Sequence, residues 1–144
     1  GLSQANALAR DSLGNLILGG ILAADEGGRT YLYLAKLTAS GNKVWSKVEG
    51  APSGLSAVNS VAVTVDDDIV TAGYMQTSGA EPRPVLRRYS PDGELRWERA
   101  LPPMPAAAAA AHMKSVAVDT DGGIVVAGQS PENGGDIWVR KYFQ

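Results

Sequence analysis

The sequence predicts an all-β protein made of three copies of one small antiparallel sheet. Three observations predict it. The first is an internal repeat. Ala9-Arg10-Asp11-Ser12-Leu13-Gly14-Asn15-Leu16-Ile17-Leu18-Gly19-Gly20 aligns without gaps with Ala62–Gly73 and with Ala117–Gly128. Leu34–Trp45 likewise aligns with Leu86–Trp97, and a third copy begins at Ile137-Trp138-Val139-Arg140-Lys141-Tyr142. The second is turn chemistry: Asp, Gly and Asn cluster between short β-branched, apolar runs, at positions that tolerate positive φ. The third is composition. Seventeen Gly and eight Pro suit many turns, and the Ala106–Ala111 run beside Pro105 is too short to nucleate a helix alone.

Each repeat reads as four strands. Strand one is the segment around Leu8, Val63 and Val118. Strand two is Leu16–Leu18, Ile69–Ala72 and Ile124–Ala127, apolar and mostly β-branched. Strand three is Tyr31–Leu37, Val85–Tyr89 and Ile137–Tyr142. Strand four, Lys43–Val48 and Leu95–Leu101, carries one Trp each time and follows the turns Ser40-Gly41-Asn42 and Pro91-Asp92-Gly93. The expected total is eleven strands. Ala51–Val58 and the Ala-rich stretch that contains His112 read as linkers between repeats. Four antiparallel strands recurring every 40–55 residues are the pattern of a β-propeller blade. Residues 1–144 then form one propeller segment, with blades at 7–50 and 59–102 and a third at 114–144 that lacks its outer strand.

Composition excludes several function classes. The net charge is −2, so non-specific nucleic-acid binding through excess Lys and Arg is not expected. No Cys is present and His112 is the single His, which leaves no thiolate nucleophile, disulfide or His-rich metal centre. No apolar run approaches the ~18 residues of a membrane-spanning helix. No signal-peptide pattern is read at the start of the sequence, and a chain starting Gly1-Leu2-Ser3 reads as processed or subcloned, so this excludes no leader. No cofactor is expected.

The repeats resemble the bacterial β-propeller repeat family known as SBBP. Asp136–Tyr142 resembles the family's strand-three segment, and Leu34–Leu37 with Gly41–Lys47 resembles its continuation. Asp11–Leu16 and Asp119–Ile124 resemble its Asp-x-x-Gly-Asn turn. The second repeat departs from the pattern at Asp67-Asp68 and Arg87-Arg88-Tyr89. The resemblance implies blade structure and a secreted or cell-surface setting, with no shared chemistry. Gly41-x-x-x-Trp45 and Gly93-x-x-x-Trp97 are also similar to the tryptophan-docking motif of quinoprotein propellers. Trp45, Trp97 and Trp138 are therefore assigned to blade packing.

Candidate sites are sparse. Asp66-Asp67-Asp68 and Asp119-x-Asp121-Gly122-Gly123 could offer carboxylates to Ca²⁺ but lack the rest of a loop site, and read as hairpin turns. Arg83, Arg87, Arg88, Arg96 and Arg99 lie among Glu81, Asp92, Glu94 and Glu98, which suggests cross-strand ion pairing on an exposed edge. No nucleophile elbow accompanies His112, and no phosphate loop follows Gly19-Gly20. The remaining candidates sit in the variable loops between strands two and three and between repeats. They are Asp25, Glu26, Arg29, Gln76, Arg83, Asn133 and Asp136.

Three readings follow. The expected one is a non-catalytic scaffold that binds a protein or glycan through its variable-loop face. Three blades are too few for a ring, so such a module is expected to complete itself as a homo-oligomer, in the simplest case a dimer of six blades. The second reading is a natural or engineered piece of a larger propeller, which the start at Gly1 and the stop after strand three both fit. The third is a propeller enzyme of quinoprotein or hydrolase type, for which the sequence offers no convergent set of titratable groups.

Overall fold

The structure, a computed structural model, describes residues 3–23, 28–50, 54–77, 80, 82–101, 112–129 and 137–143. Among these, all regular structure is β, in eleven strands. They are β1 (Gln4–Arg10), β2 (Leu16–Ala23), β3 (Thr30–Leu37), β4 (Lys43–Glu49), β5 (Ser56–Val63), β6 (Ile69–Met75), β7 (Arg83–Tyr89), β8 (Leu95–Ala100), β9 (His112–Val118), β10 (Ile124–Gln129) and β11 (Ile137–Tyr142). They form three antiparallel sheets, β1-β2-β3-β4, β5-β6-β7-β8 and β9-β10-β11, and none closes into a barrel. Two assignments need correction. β5 starts at Ser56, inside the expected linker, and β9 starts at His112, which pairs with Gln129 rather than lying in a connection. Both strands extend because β6 and β10 run to Met75 and Gln129 and offer ladder partners there. The run Ala106–Ala111 lies outside the described residues.

All five tight hairpins share one construction. In each, the residue at the first turn position exchanges backbone bonds with the residues three and four further on. Examples are Gly14 N–H to Asp11 O (3.1 Å) and Asp11 N–H to Asn15 O (3.0 Å). The fourth turn residue lies at positive φ: Gly14, Gly41, Asp67, Gly93 and Gly122. This is a type I turn followed by a left-handed residue. The first position is always a short oxygen-bearing residue, Asp11, Thr38, Thr64, Ser90 or Asp119. Its side-chain oxygen accepts the amide four residues on, at 2.6–3.1 Å. Asp67, at φ 62°, stands where the equivalent turns have glycine, and Asp is among the few side chains that tolerate this region.

The sheets pack face to face. β5 lies against β1, β2 and β3 of the first sheet, and β9 lies against β5, β6 and β7 of the second. Each sheet thus has a front face towards its predecessor and a back face towards its successor. Ile17, Leu32 and Leu34 on the back of the first sheet meet Val58, Val61, Ile69 and Tyr89 on the front of the second. Val70, Ala72 and Leu86 on its back meet Met113, Val116, Ile124 and Val126 of the third. The central strand β6 is consequently buried on both faces from Ile69 to Gly73, whereas β2 and β10 alternate between more and less buried residues. A sheet covered on both sides reads as a near-continuous apolar run, as in Ile69-Val70-Thr71-Ala72, where only the small hydroxyl of buried Thr71 is polar.

One extra residue bulges from the first strand of each sheet: Asn6, Asn59 and Lys114, opposite Gly20, Gly73 and Gly128. Glycine is required at the first two of these because a side chain would strike the main chain of the bulged strand. A Cβ on Gly73 would fall on the Ala57 carbonyl oxygen, and one on Gly20 on that of Gln4. Bulges re-aim side chains. Here Asn6 donates its amide to the Val58 carbonyl of the second sheet (2.8 Å), and Asn59 donates to the Met113 carbonyl of the third (2.8 Å). Gly73→Ala is expected to lower stability by about 2–3 kcal/mol in urea unfolding, since backbone must move. Gly41→Ala, which opens onto free space at φ 88°, is expected to lose only about 1 kcal/mol.

Candidate functional site

Strand direction sorts the loops to two ends. The β1–β2 and β3–β4 hairpins and their equivalents share one end; the β2–β3 loops and the connections between sheets share the other. The second end is where the variable-loop candidates fall. Asp25, Glu26, Asn133 and Asp136 lie outside the described residues, as does Glu81. Arg29 is partly exposed just before β3, and Arg83 is exposed as the first residue of β7, opposite Met75. Gln76 is structural. Its backbone amide donates to Leu55 O at 2.7 Å, and its side chain donates to Ala80 O at 2.9 Å, closing its own loop. Thr30 ties the same end together, its hydroxyl accepting from the Ser56 amide and lying 3.1 Å from the Ser56 carbonyl. The three described candidates stand at the ends of different elements, beside a main-chain brace that fixes where their loops start.

Charge gathers at the hairpin end instead. In the first sheet Asp11 is buried in its turn, 2.9 Å from Lys36 Nζ of β3, and also accepts from Asn15 Nδ2 at 2.9 Å. In the third sheet Asp119 pairs with Lys141 of β11. The second sheet has Thr64 at that turn position, and its acid is moved four residues along to Asp68. Asp68 takes Arg88 Nε at 2.7 Å and Arg96 Nε at 2.9 Å. Lys36, Arg88 and Lys141 are repeat equivalents, so the cation stays and the carboxylate changes its place on the turn. The Ca²⁺ reading of these turns finds Asp68 and Asp119 already neutralised by cations.

The expected exposed arginine edge is corrected in two respects. Arg87 does pair across strands with Glu98 (2.6 Å), its direct ladder partner, but Arg87 is buried, with a further contact to Met75 Sδ at 3.5 Å. Arg88 is also largely buried and turns to Asp68, which the sequence places in the acidic turn. Arg99 stacks over Trp97 and Tyr142 at 6.0 and 5.7 Å. Between the second and third hairpin ends, a groove of about 280 Å³ is lined by Thr64, Val65, Asp66, Arg88, Thr120 and Asp121.

The three tryptophans lie where sheets meet. Trp45 packs on the first core, donates its indole N–H to Pro91 O of the next sheet (3.2 Å) and sits beneath Gly93. Trp97 and Trp138 pack on the second core. Asp67 adds a further joint, accepting from the Ser12 amide and hydroxyl at 2.8 and 2.5 Å. Tyr89, buried at the first joint, donates to Glu49 at 3.2 Å, and burial pushes its phenol well above the ordinary tyrosine range.

No family model and no curated protein sequence matches this chain. Its fold is similar to that of a protein of unknown function from Bacteroides caccae, known from a crystal structure at 1.35 Å. The TM-score is 0.54 at 12% identity, and the similarity covers 97% of this chain but 46% of the other. The chain thus spans just under half the length of the solved protein it matches, and the likeness concerns the fold alone.

Asp11 gives a test of the hairpin charge. Burial opposes its ionisation, but hydrogen bonds from Asn15 and Lys36 overcome this and hold its pKa at about 2. A carboxylate with a depressed folded-state pKa stabilises above its unfolded value near ~3.9, and that stability is lost as pH falls through the folded value. Asp11→Asn is expected to lower stability by about 2 kcal/mol at pH 7. The difference from the unaltered chain should shrink between about pH 4 and pH 2 in denaturant titrations.

Proposed function

We propose that the chain is three blades of a β-propeller that completes its ring by self-association and acts as a non-catalytic binding module. One observation carries the propeller reading: equivalent residues are buried at the internal joints and bare at the two ends. Leu34 and Leu86 are fully buried, while their equivalent Val139 is 63% exposed. Val61 and Val116 are at most 8% exposed, while their equivalent Leu8 is 61% exposed. Unlike the scattered apolar residues of an ordinary surface, these belong to faces whose repeats form interfaces. The front of the first sheet and the back of the third are joint faces awaiting a neighbour.

The variable-loop end is the binding face in this reading, because loops on a rigid frame carry recognition. A protein or glycan is its partner class. The resemblance to SBBP repeats supports a bacterial, secreted or cell-surface setting. Absence of catalysis is part of the proposal, since the carboxylates Asp11, Asp68 and Asp119 at the hairpin end are taken up in ion pairs with strand cations. A second reading, a piece of a larger propeller, is favoured by the solved protein of which this chain matches 46%.

Light scattering coupled to size exclusion tests the proposal. A particle of about twice the 15.0 kDa chain mass is expected. A folded, non-aggregating monomer would overturn ring completion and leave the larger-propeller reading.

A further inference from the structure

The two internal joints provide a template for an external one. Each joint uses the same parts. The bulged residue of one first strand donates to the carbonyl one place earlier in the next: Asn6 to Val58, then Asn59 to Met113. At the second joint the Ser60 hydroxyl also accepts the Val116 amide at 3.0 Å. Carrying the repeat equivalences one step further names the next set. Lys114 holds the bulge position and Ser115 the Ser60 position, and both are exposed. Their counterparts in a following sheet would be the residues equivalent to Val58 and Val61, which in this chain are Ala5 and Leu8.

The apolar parts agree. The back of the third sheet presents Ile137 and Val139, 85% and 63% exposed, where Leu32 and Leu34 are at most 1% exposed at the first joint. The front of the first sheet presents a hollow of about 300 Å³ lined by Ala5, Asn6, Ala7, Leu8 and Leu18. Within the joint that the chain already makes, the matching front carries Val58 and Val61, which close on Gly19. A Cβ at the Gly19 position would strike Val58 Cγ1 and Val61 Cγ2; the third sheet carries Ala127 there, and the front of the first sheet answers with Ala5, which has no Cγ, at the Val58 position and with the flexible end of Leu8 at the Val61 position.

We propose that two copies dock head to tail, the back of the third sheet of each seated on the front of the first sheet of the other. In this register Lys114 donates to the Ala5 carbonyl of the second copy, and Ser115 accepts from its Leu8 amide. The inference rests on the ring reading above and specifies its joint. A second copy is the fitting occupant because both halves of the joint are present on one chain and repeat a contact the chain already makes twice. The number two follows from size. Two copies come close to the length of the solved chain of which one copy covers 46%, and they supply six units, within the usual four to eight.

The chain has no cysteine, so cross-linking reads the register directly. A Cβ on Gly19 would lie 3.2 Å from the Val58 Cβ, within reach of a disulfide after slight adjustment. The equivalent pair across the proposed joint is Ala127 of one copy and Ala5 of the other. Ala5→Cys and Ala127→Cys chains are prepared separately and oxidised alone and mixed. The expected result is a cross-linked pair in the mixture and none from either variant alone. Cross-linking of Ala5→Cys with itself would show front-to-front docking; it would overturn this joint while leaving self-association intact. A monomer by light scattering would overturn both. Val139→Asp supplies a second readout. Val139 is exposed in the single chain, so the circular dichroism spectrum should be unchanged while the particle mass falls by half. A dimer that survives Val139→Asp would overturn the proposed joint.

Discussion

Burial of both faces of the middle sheet is the constraint on which this structure depends. A four-stranded antiparallel sheet with one wet face would alternate apolar and polar residues, and β6 does not. From Ile69 to Gly73 every residue is buried, alternately towards the preceding sheet and towards the following one. No sheet of this kind is stable by itself, because its second apolar face would remain in water. The repeat is therefore a requirement of the sequence pattern, and the short hairpins, the bulges and the glycines opposite them all serve to bring one first strand flat against the preceding sheet.

The turn charges show how the repeats diverge without losing this packing. In the first and third sheets an Asp opens the turn and a Lys from the third strand reaches it. In the second the opening residue is Thr64, whose hydroxyl keeps the turn closed, and the carboxylate appears at Asp68. Two tasks that one Asp performs elsewhere, accepting the turn amide and neutralising the strand-three cation, are here divided between two residues. The second sheet also carries Arg96, and Asp68 can take both guanidinium groups because its turn duty has passed to Thr64.

Much of the frame was legible in the sequence because the repeat phases everything at once. Aligning Leu16–Gly20 with Ile69–Gly73 and Ile124–Gly128 fixes strand two, the hairpin before it and the ladder partners on either side. The starts of β5 and β9 were not legible, since Ser56 and His112 lack the alternation of a strand and gain their pairing from the ends of β6 and β10. The bulges at Asn6 and Asn59 were hidden for a related reason: a bulge is a mismatch between two strands and leaves no mark on either alone. The burial of Arg87 and Arg88 was missed because a cluster of charged residues on the third and fourth strands suggests a wet surface, whereas here Glu98, Met75 and Asp68 supply partners. At the loop end the sequence identified the variable segments, and Gln76 proved to be a brace because its bonds go to Leu55 and Ala80.

The bulge bond has a consequence for how such a protein can change over time. Asn6 and Asn59 give their hydrogen bonds to main-chain carbonyls, of Val58 and Met113, and not to side chains. Every residue type carries that acceptor. The donor half of the joint must be kept, but the receiving half is written in no particular letter of the code. A unit copied and inserted beside an unfamiliar neighbour finds its polar anchor already in place, and only the apolar fit around it has to be relearned. Duplication, reordering and exchange of units are thereby relieved of the need for paired mutations on both sides of every seam.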